Sequence, residues 1–198
     1  MLGAALLMSA GSCTELEETN YTNVVADGFQ PTDEDAASLL ASAYVSWRKT
    51  FLQWNGVARA QMLSTDEDVI PARPNGWVDG GVYKRMHQHK WTSEDDIPLQ
   101  SWVRTYDGIN ACNRVLYQIE SQVRLGERET AIISELKVLR ASYYYVLDDL
   151  FGNVPIITKF DVPEGFLPDQ SSRKEVYEFI VKELTENIPN LSEATNSE

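Results

Sequence analysis

Histidine and cysteine are nearly absent from this chain, which contains two residues of each among its 198 positions. His87 and His89 are separated by a single residue, so on a strand they would share a face and offer two metal ligands. No further histidine exists and no cysteine lies near them, so the sequence predicts no metal site. Long apolar runs are missing as well, because none approaches the roughly 18 residues that a membrane-spanning helix requires.

Basic residues are scarce relative to acidic ones. The chain carries 17 lysines and arginines against 30 aspartates and glutamates, which gives a formal net charge of −13. Proteins bind a phosphate backbone through clustered lysine and arginine side chains, so this balance argues against nucleic acid as a partner. It also argues against docking onto an anionic lipid surface by charge alone.

Catalytic sequence motifs are absent too. The chain has no nucleophile elbow, phosphate-binding loop, zinc-protease motif or dinucleotide-binding glycine motif. Asp66, Glu67 and Asp68 form a carboxylate cluster, but adjacent loop residues rarely converge on one glycosidic bond, and a solvated surface explains them better. The sequence therefore predicts a protein that is not an enzyme, with no catalytic residues and no cofactor.

The first thirteen residues, MLGAALLMSAGSC, differ from the rest of the chain because they are uncharged, apolar and small. This pattern is typical of a signal peptide running into a small-residue cleavage site. Because it ends on cysteine, it resembles a bacterial lipoprotein signal. We therefore expect a signal peptide over residues 1–12, lipidation of Cys13 and an extended tether over residues 13–30. The alternative is a buried N-terminal helix with an incidental cysteine.

The residues after Cys13 bear on where such a lipoprotein would go. Glu15, Glu17 and Glu18 resemble the acidic tag that sends bacterial lipoproteins to the cell surface, although an acidic tether also arises by chance. No lysine or arginine precedes the apolar run, so we expect the true start codon of the signal to lie upstream of Met1. The other cysteine, Cys112, falls on the apolar side of a predicted helix, and we expect it to be a small buried hydrophobe.

A helical hairpin is predicted between residues 102 and 155. Apolar residues recur at helical spacing in two stripes, Trp102, Tyr106, Ile109, Asn113, Leu116 and then Ile132, Leu136, Leu139, Tyr143, Leu147, Leu150. Gly152 supplies a C-terminal cap, and Pro155 prevents the second helix from continuing. Two amphipathic helices joined by a short polar break form an antiparallel pair. The run Tyr143–Tyr145 predicts burial of the second helix on more than one side.

Three further helices are predicted around this hairpin. The first opens at a capping box of Thr32 and Asp35, and the second runs from about Leu52 to Leu63. The last runs from Arg173 to Ile188 and opens at a capping box of Ser172 and Glu175. The residues expected to pack are Ala36, Leu39, Leu40, Ala43, Tyr44 and Trp47 in the first helix, Phe51, Trp54, Val57 and Met62 in or beside the second, and Val176, Ile180, Leu184 and Ile188 in the last.

The stretch Thr65–Pro98 is predicted to be a long loop, and loops of this length are often functional. Flat aromatic faces stack on sugar rings, and nearby polar groups orient the ligand. We expect Trp77 to stack on a glycan, with Arg73, Asn75, Asp79 and Tyr83 around it. The alternative is that Trp77 only pins the loop to the helices, and for Trp91 that structural role is the expected one.

The motifs themselves resemble a known family. WVRTYDGINACNRVLYQI is followed by ELKVLRASYYYVLDDLFGNVPI and then by QSSRKEVYEFIVKEL. In this order they resemble the N-terminal half of the SusD/RagB family of surface lipoproteins, from Cys13 to about Pro189. The resemblance implies an all-α fold of tetratricopeptide-like antiparallel helical hairpins with long inter-helix loops, here an incomplete SusD-like fold. It places a SusD-like helical domain at residues 31–189 and a frayed tail, with a truncation point, at 190–198.

The same resemblance implies a function. Family members sit in the outer membrane by a lipid anchor, face the cell exterior and deliver nutrients to a TonB-dependent, SusC-like β-barrel. An oligosaccharide is the expected ligand, because most of the family serves glycan uptake. Two alternatives stay open at this point, a peptide-uptake member of the family and a helical protein–protein adaptor without a ligand.

Overall fold

The structure of the protein, a computed structural model, describes residues 33–73, 78–122 and 126–191. Six α-helices lie in this part of the chain: α1 Asp33–Leu52, α2 Val57–Leu63, α3 Val82–His87, α4 Asp96–Gln122, α5 Glu129–Phe151 and α6 Arg173–Asn187. The described residues contain no β-strand, and a single antiparallel bridge joins Pro155 to Gln170. The predicted all-α fold class is confirmed. The predicted signal peptide, lipidation site, tether and most of the polar tail lie outside the described residues.

The predicted hairpin is formed by α4 and α5, which pack along each other. Every residue of the two predicted stripes is buried or half-buried. Gly152 ends α5 as expected, with a φ of +73° and an N–H that donates to the carbonyl oxygens of Leu147 and Asp148. Tyr143 and Tyr144 are fully buried while Tyr145 is 63% exposed, so α5 is covered on two sides. Helix α1 packs on α4, and α6 packs on α5.

Tyr143 lies at the centre of the main core. Its hydroxyl donates to the carbonyl oxygen of Ala43 at 2.8 Å, and its ring meets Trp47 edge-on with centroids 5.0 Å apart. The ring rests directly on α4 at Gly108, where a Cβ atom would lie 2.3 Å from a ring carbon. The absence of a side chain at Gly108 therefore lets α4 approach α5 closely.

Helix α6 begins at the predicted capping box. The Ser172 hydroxyl accepts a hydrogen bond from the Glu175 N–H, and the Glu175 carboxylate accepts one from the Ser172 N–H at 2.7 Å. Val176 and Ile180 are buried against α5 as expected. The prediction was wrong for Ile188, which is 52% exposed because α6 gives way to a 3-10 turn there.

The boundary between the first two helices differs from the prediction. Helix α1 continues to Leu52, and α2 starts at Val57 after a tight turn. Gly56 makes this turn, because its N–H donates to Gln53 and a Cβ atom there would lie 2.4 Å from the carbonyl oxygen of Thr50. Val57 packs as expected, being 1% exposed.

Two apolar residues assigned to that packing face solvent instead. Trp54 is 49% exposed and Met62 is 38% exposed, while Ala60 and Leu63 take the buried positions of α2. The predicted stripe failed because Trp54 lies in the turn before α2, and Met62, five residues after Val57, lies about 140° around the helix axis from it.

The predicted loop between Thr65 and Pro98 is partly helical. It contains a 3-10 turn, Asp79–Gly81, followed at once by α3, and α4 has already begun at Asp96 because proline is tolerated in the first turn of a helix. A second, smaller core holds α3 in place, and its members are Ala60, Leu63, Val82, Tyr83, Met86 and Ile97. We call this set the small core. The long loop is thus a folded insertion between α2 and α4.

Cys112 is a fully buried residue of the main core, which confirms the prediction for it. Burial disfavours the charged thiolate and raises the pKa of its thiol to about 12. Because the thiolate is the reactive species, we expect Cys112 in a Cys13→Ser chain to resist a thiol reagent at pH 8 until the chain is unfolded. Labelling followed against denaturant concentration checks this, and fast labelling of the folded chain would contradict it.

Candidate functional site

The turn at Asp79–Gly81 lies in the described part of the predicted ligand loop. Its three residues have φ values of +46°, +58° and +77°, in the left-handed region that glycine favours. Two glycines make this path accessible, and Asp79 is held in it as a non-glycine residue. The backbone therefore turns sharply here and aims the Asp79 side chain in a direction that an extended loop would not give.

An ion pair holds the backbone of the turn in place. The Arg85 guanidinium forms a bidentate contact with the buried Asp95 carboxylate, including an Nε to Oδ1 distance of 2.9 Å. Arg85 also donates from Nη1 to the carbonyl oxygen of Gly80 at 2.7 Å. The Asp95 carboxylate accepts from the Thr92 N–H as well, and these donors hold the pKa of the Asp95 carboxyl below its usual range. The stability that this pair contributes is present at neutral pH and is lost as the pH falls through that pKa.

Asp79 and Tyr83 are brought together within the described residues. The ring of Tyr83 is 6% exposed within the small core, and its pKa is raised by burial and then by a hydrogen bond with Asp79. The ring therefore has no free face for a sugar, and its hydrogen bond to Asp79 links it to the predicted ligand residues. The second carboxylate oxygen of Asp79, Oδ2, is shielded from solvent and lacks a hydrogen-bond partner within the described part of the chain.

Arg73 is exposed and is the last described residue before residues 74–77. Asn75 and Trp77 lie outside the described residues, so their predicted roles stay predictions. Trp91, expected to be structural, has its ring centroid 5.2 Å from that of His89 and is 40% exposed. It also lines a small cavity of about 90 Å³ with Ser101, which is compatible with its predicted role of pinning the loop.

A buried polar network lies on the other side of the hairpin, and the sequence did not point to it. Arg140 on α5 is 4% exposed and forms a bidentate ion pair with Glu183 on α6, at 2.9 and 3.0 Å. Its Nη1 donates to Oδ1 of Asn113 on α4 at 2.7 Å. The Asn113 amide and the Tyr144 hydroxyl both donate to the carbonyl oxygen of Ile157. Three helices and the chain after α5 are thus joined at one point.

Val82, Tyr83 and Met86 share a face of α3, but the six residues VYKRMH are too few to establish a helical period in the sequence. The partners of Arg140 had no signal in the sequence either, because Glu183 is 43 residues away and sits within a stripe read as apolar. None of the helices in the described part of the chain is long and apolar enough to cross a membrane.

Residues 18–198 match a SusD-like family described as starch-binding and associating with the outer membrane. A relative, SusD-like protein P38 of Formosa agariphila, is 24% identical over 94% of this chain and 36% of its own length. The chain spans about a third of that relative.

Solved structures show the same fold. A laminarin-binding SusD-like protein superposes with a TM-score of 0.69 and 26% identity, over 85% of this chain and 36% of that protein. Surface glycan-binding protein A of Bacteroides uniformis superposes with a TM-score of 0.64 and 20% identity, over 80% of this chain and 34% of that protein. These helices therefore form an all-helical scaffold of packed hairpins. The chain belongs to the SusD-like family, as its motifs indicated.

Proposed function

We propose that this protein is a surface-exposed outer-membrane lipoprotein that binds an oligosaccharide and passes it to a TonB-dependent, SusC-like β-barrel. Cys13 would carry the lipid anchor, and the protein would face the cell exterior. The observation that carries the proposal is the family match across residues 18–198, because that family is described by starch binding and outer-membrane association. The binding would be passive, with no catalytic step on this chain.

The loop after α2 is the proposed ligand site. Asp79 would accept a hydrogen bond from a sugar hydroxyl, because its carboxylate stands on a sharp turn whose Gly80 carbonyl oxygen is held by Arg85. Tyr83 and the Arg85–Asp95 pair hold Asp79 in position before any ligand arrives, which lowers the entropy lost on binding. Trp77 would supply the stacking face, with Arg73 and Asn75 as further polar contacts.

Replacing Trp77 by alanine tests this proposal. The probes are laminarihexaose, because a structural relative binds laminarin, and maltohexaose, because the family is described as starch-binding. Calorimetric titration of the 198-residue chain should show at least tenfold weaker binding to the loop for Trp77→Ala, about 1.4 kcal/mol. Association with the barrel should be unchanged, since the helices rather than the loop are expected to contact it.

Trp54→Ala is the matched control, because Trp54 is also an exposed tryptophan but lies in the turn between α1 and α2. Its affinities should equal those of the unmodified chain. If the unmodified chain binds neither sugar but still associates with the β-barrel, the chain is a helical adaptor and the ligand proposal is wrong.

A further inference from the structure

A groove runs along α4 between Tyr106 and Glu120. Its walls are α4 on one side and the extended chain between residues 157 and 168 on the other. Two adjoining cavities of about 350 and 340 Å³ make it up, and they share Asn113, Lys159 and Phe160. Each cavity is within the size range of small-ligand pockets. We call this feature the α4 groove.

The floor of the α4 groove is rigid. Asn113 is 2% exposed and Arg140 is 4% exposed, and both are held by the buried polar network that reaches Glu183. The wall is anchored to the same network, because the Asn113 amide donates to the carbonyl oxygen of Ile157 at 2.9 Å and the Tyr144 hydroxyl accepts from the Ile157 N–H. A ligand would meet a preformed groove, so little ordering would be needed on binding.

Aromatic rings line the groove where it opens to solvent. Tyr117 is 39% exposed and Phe160 is 37% exposed, and their ring centroids lie 5.9 Å apart at an interplanar angle of 43°. Two tilted rings at this distance give a shallow, V-shaped apolar surface. Such a surface suits the apolar face of a pyranose ring, whose hydroxyls then point toward the polar rim.

The polar rim offers both donors and acceptors. Lys137 and Lys159 contribute ammonium donors, and Asp107, Glu120 and Asp161 contribute carboxylate acceptors. None of these five side chains makes a hydrogen bond or ion pair with another described residue. Two cations beside three anions favour a neutral polyhydroxylated ligand over an anion, because sugar hydroxyls both donate and accept.

We propose that the α4 groove is a second binding site for neutral oligosaccharide, independent of the loop site. Asp96, where the folded loop joins α4, and Asn113 on the groove floor lie on the same helix. Since a helix rises about 1.5 Å per residue, the two points are roughly 25 Å apart along α4. An oligosaccharide bound at one site therefore does not occupy the other. A chain with two sites would hold a branched or long glycan by more than one contact, which raises its overall affinity.

The test uses the Trp77→Ala chain, in which binding to the loop site is weakened, so that the remaining binding reports on the α4 groove. Titration with laminarihexaose and maltohexaose should show residual one-to-one binding of at least one of the two sugars. Adding Tyr117→Ala or Phe160→Ala should weaken that binding at least tenfold, whereas Tyr117→Phe should retain it. Amide hydrogen exchange of the segment 157–163 should slow in the presence of the sugar that binds.

Tyr145→Ala is the matched control, because Tyr145 is an exposed tyrosine of the same hairpin that lies outside the groove. It should leave the residual binding unchanged, and unfolding midpoints of all variants establish that they are folded. Residual binding that survives both Tyr117→Ala and Phe160→Ala overturns the proposal, and so does a Trp77→Ala chain that binds neither sugar. If Trp77→Ala changes nothing and Tyr117→Ala removes all binding, the groove stands and the loop site fails.

Discussion

Replacing Arg140 by methionine is expected to lower the free energy of unfolding by about 3–5 kcal/mol. The substitution leaves the Glu183 carboxylate buried without its cation and leaves Oδ1 of Asn113 without its donor. A buried charge that loses its partner keeps the full cost of its desolvation, which is why this loss exceeds the value of an ordinary ion pair. Urea unfolding followed by circular dichroism at neutral pH measures the change.

Two further variants distinguish the effect of breaking the buried network from the effect of removing a charge. Lys174→Ala breaks an ion pair with Glu178 whose side chains are 82% and 59% exposed, so its effect should stay below about 1 kcal/mol. The double variant Arg140→Met with Glu183→Leu removes both charges, and it should recover much of the stability lost by the single change. A single-variant loss as small as that of Lys174→Ala would show that the ion pair is solvated in solution.

Gly108→Ala is expected to destabilise the protein by about 1–3 kcal/mol, although the same change within a helix usually stabilises it by up to about 1 kcal/mol. The new Cβ atom would lie 2.3 Å from the Tyr143 ring. That ring has little freedom to move, because it is fully buried, hydrogen-bonded to Ala43 and packed edge-on against Trp47. Thermal and urea unfolding give the sign of the effect.

Asn110→Ala is the control for Gly108→Ala, since it introduces alanine at an exposed position of the same helix. It should be neutral or slightly stabilising. Combining Gly108→Ala with Tyr143→Leu should produce less than the sum of the two losses, because the smaller side chain relieves the overlap. A stabilising Gly108→Ala would mean that α4 and α5 are farther apart than the structure has them.

The parts of this fold that the sequence predicted well are those set by local rules. The stripes of α4 and α5, the Gly152 cap and the Ser172–Glu175 capping box each depend on residues within one or two helical turns. The boundary between α1 and α2 was missed because Gly56 acts through a close approach to Thr50, which no periodicity records. Helix α3 was missed because six residues are too few to establish a helical period.

In the candidate sites, too, the residue types were predictable from the sequence, whereas features that depend on distant contacts were not. Asp79 was chosen for its residue type and loop context, and the structure adds the left-handed backbone and the support from Tyr83. Tyr83 was chosen for its aromatic ring, but burial decides the role of a ring, and burial depends on α2 and α4 as well as on the loop. The α4 groove was not predictable, because Tyr117 and Phe160 are brought together only when the chain after α5 folds back along α4.

The small core and the main core support different parts of the protein. The turn that would meet the ligand rests on α2, α3 and the start of α4, whereas the main core is built by α1, α4, α5 and α6. Substitutions in the turn therefore strain a local unit of six apolar residues and leave the larger packing untouched. Under the proposed function, the residues that select the sugar can change without first regaining the stability of the helices, so ligand choice is free to diverge faster than the fold.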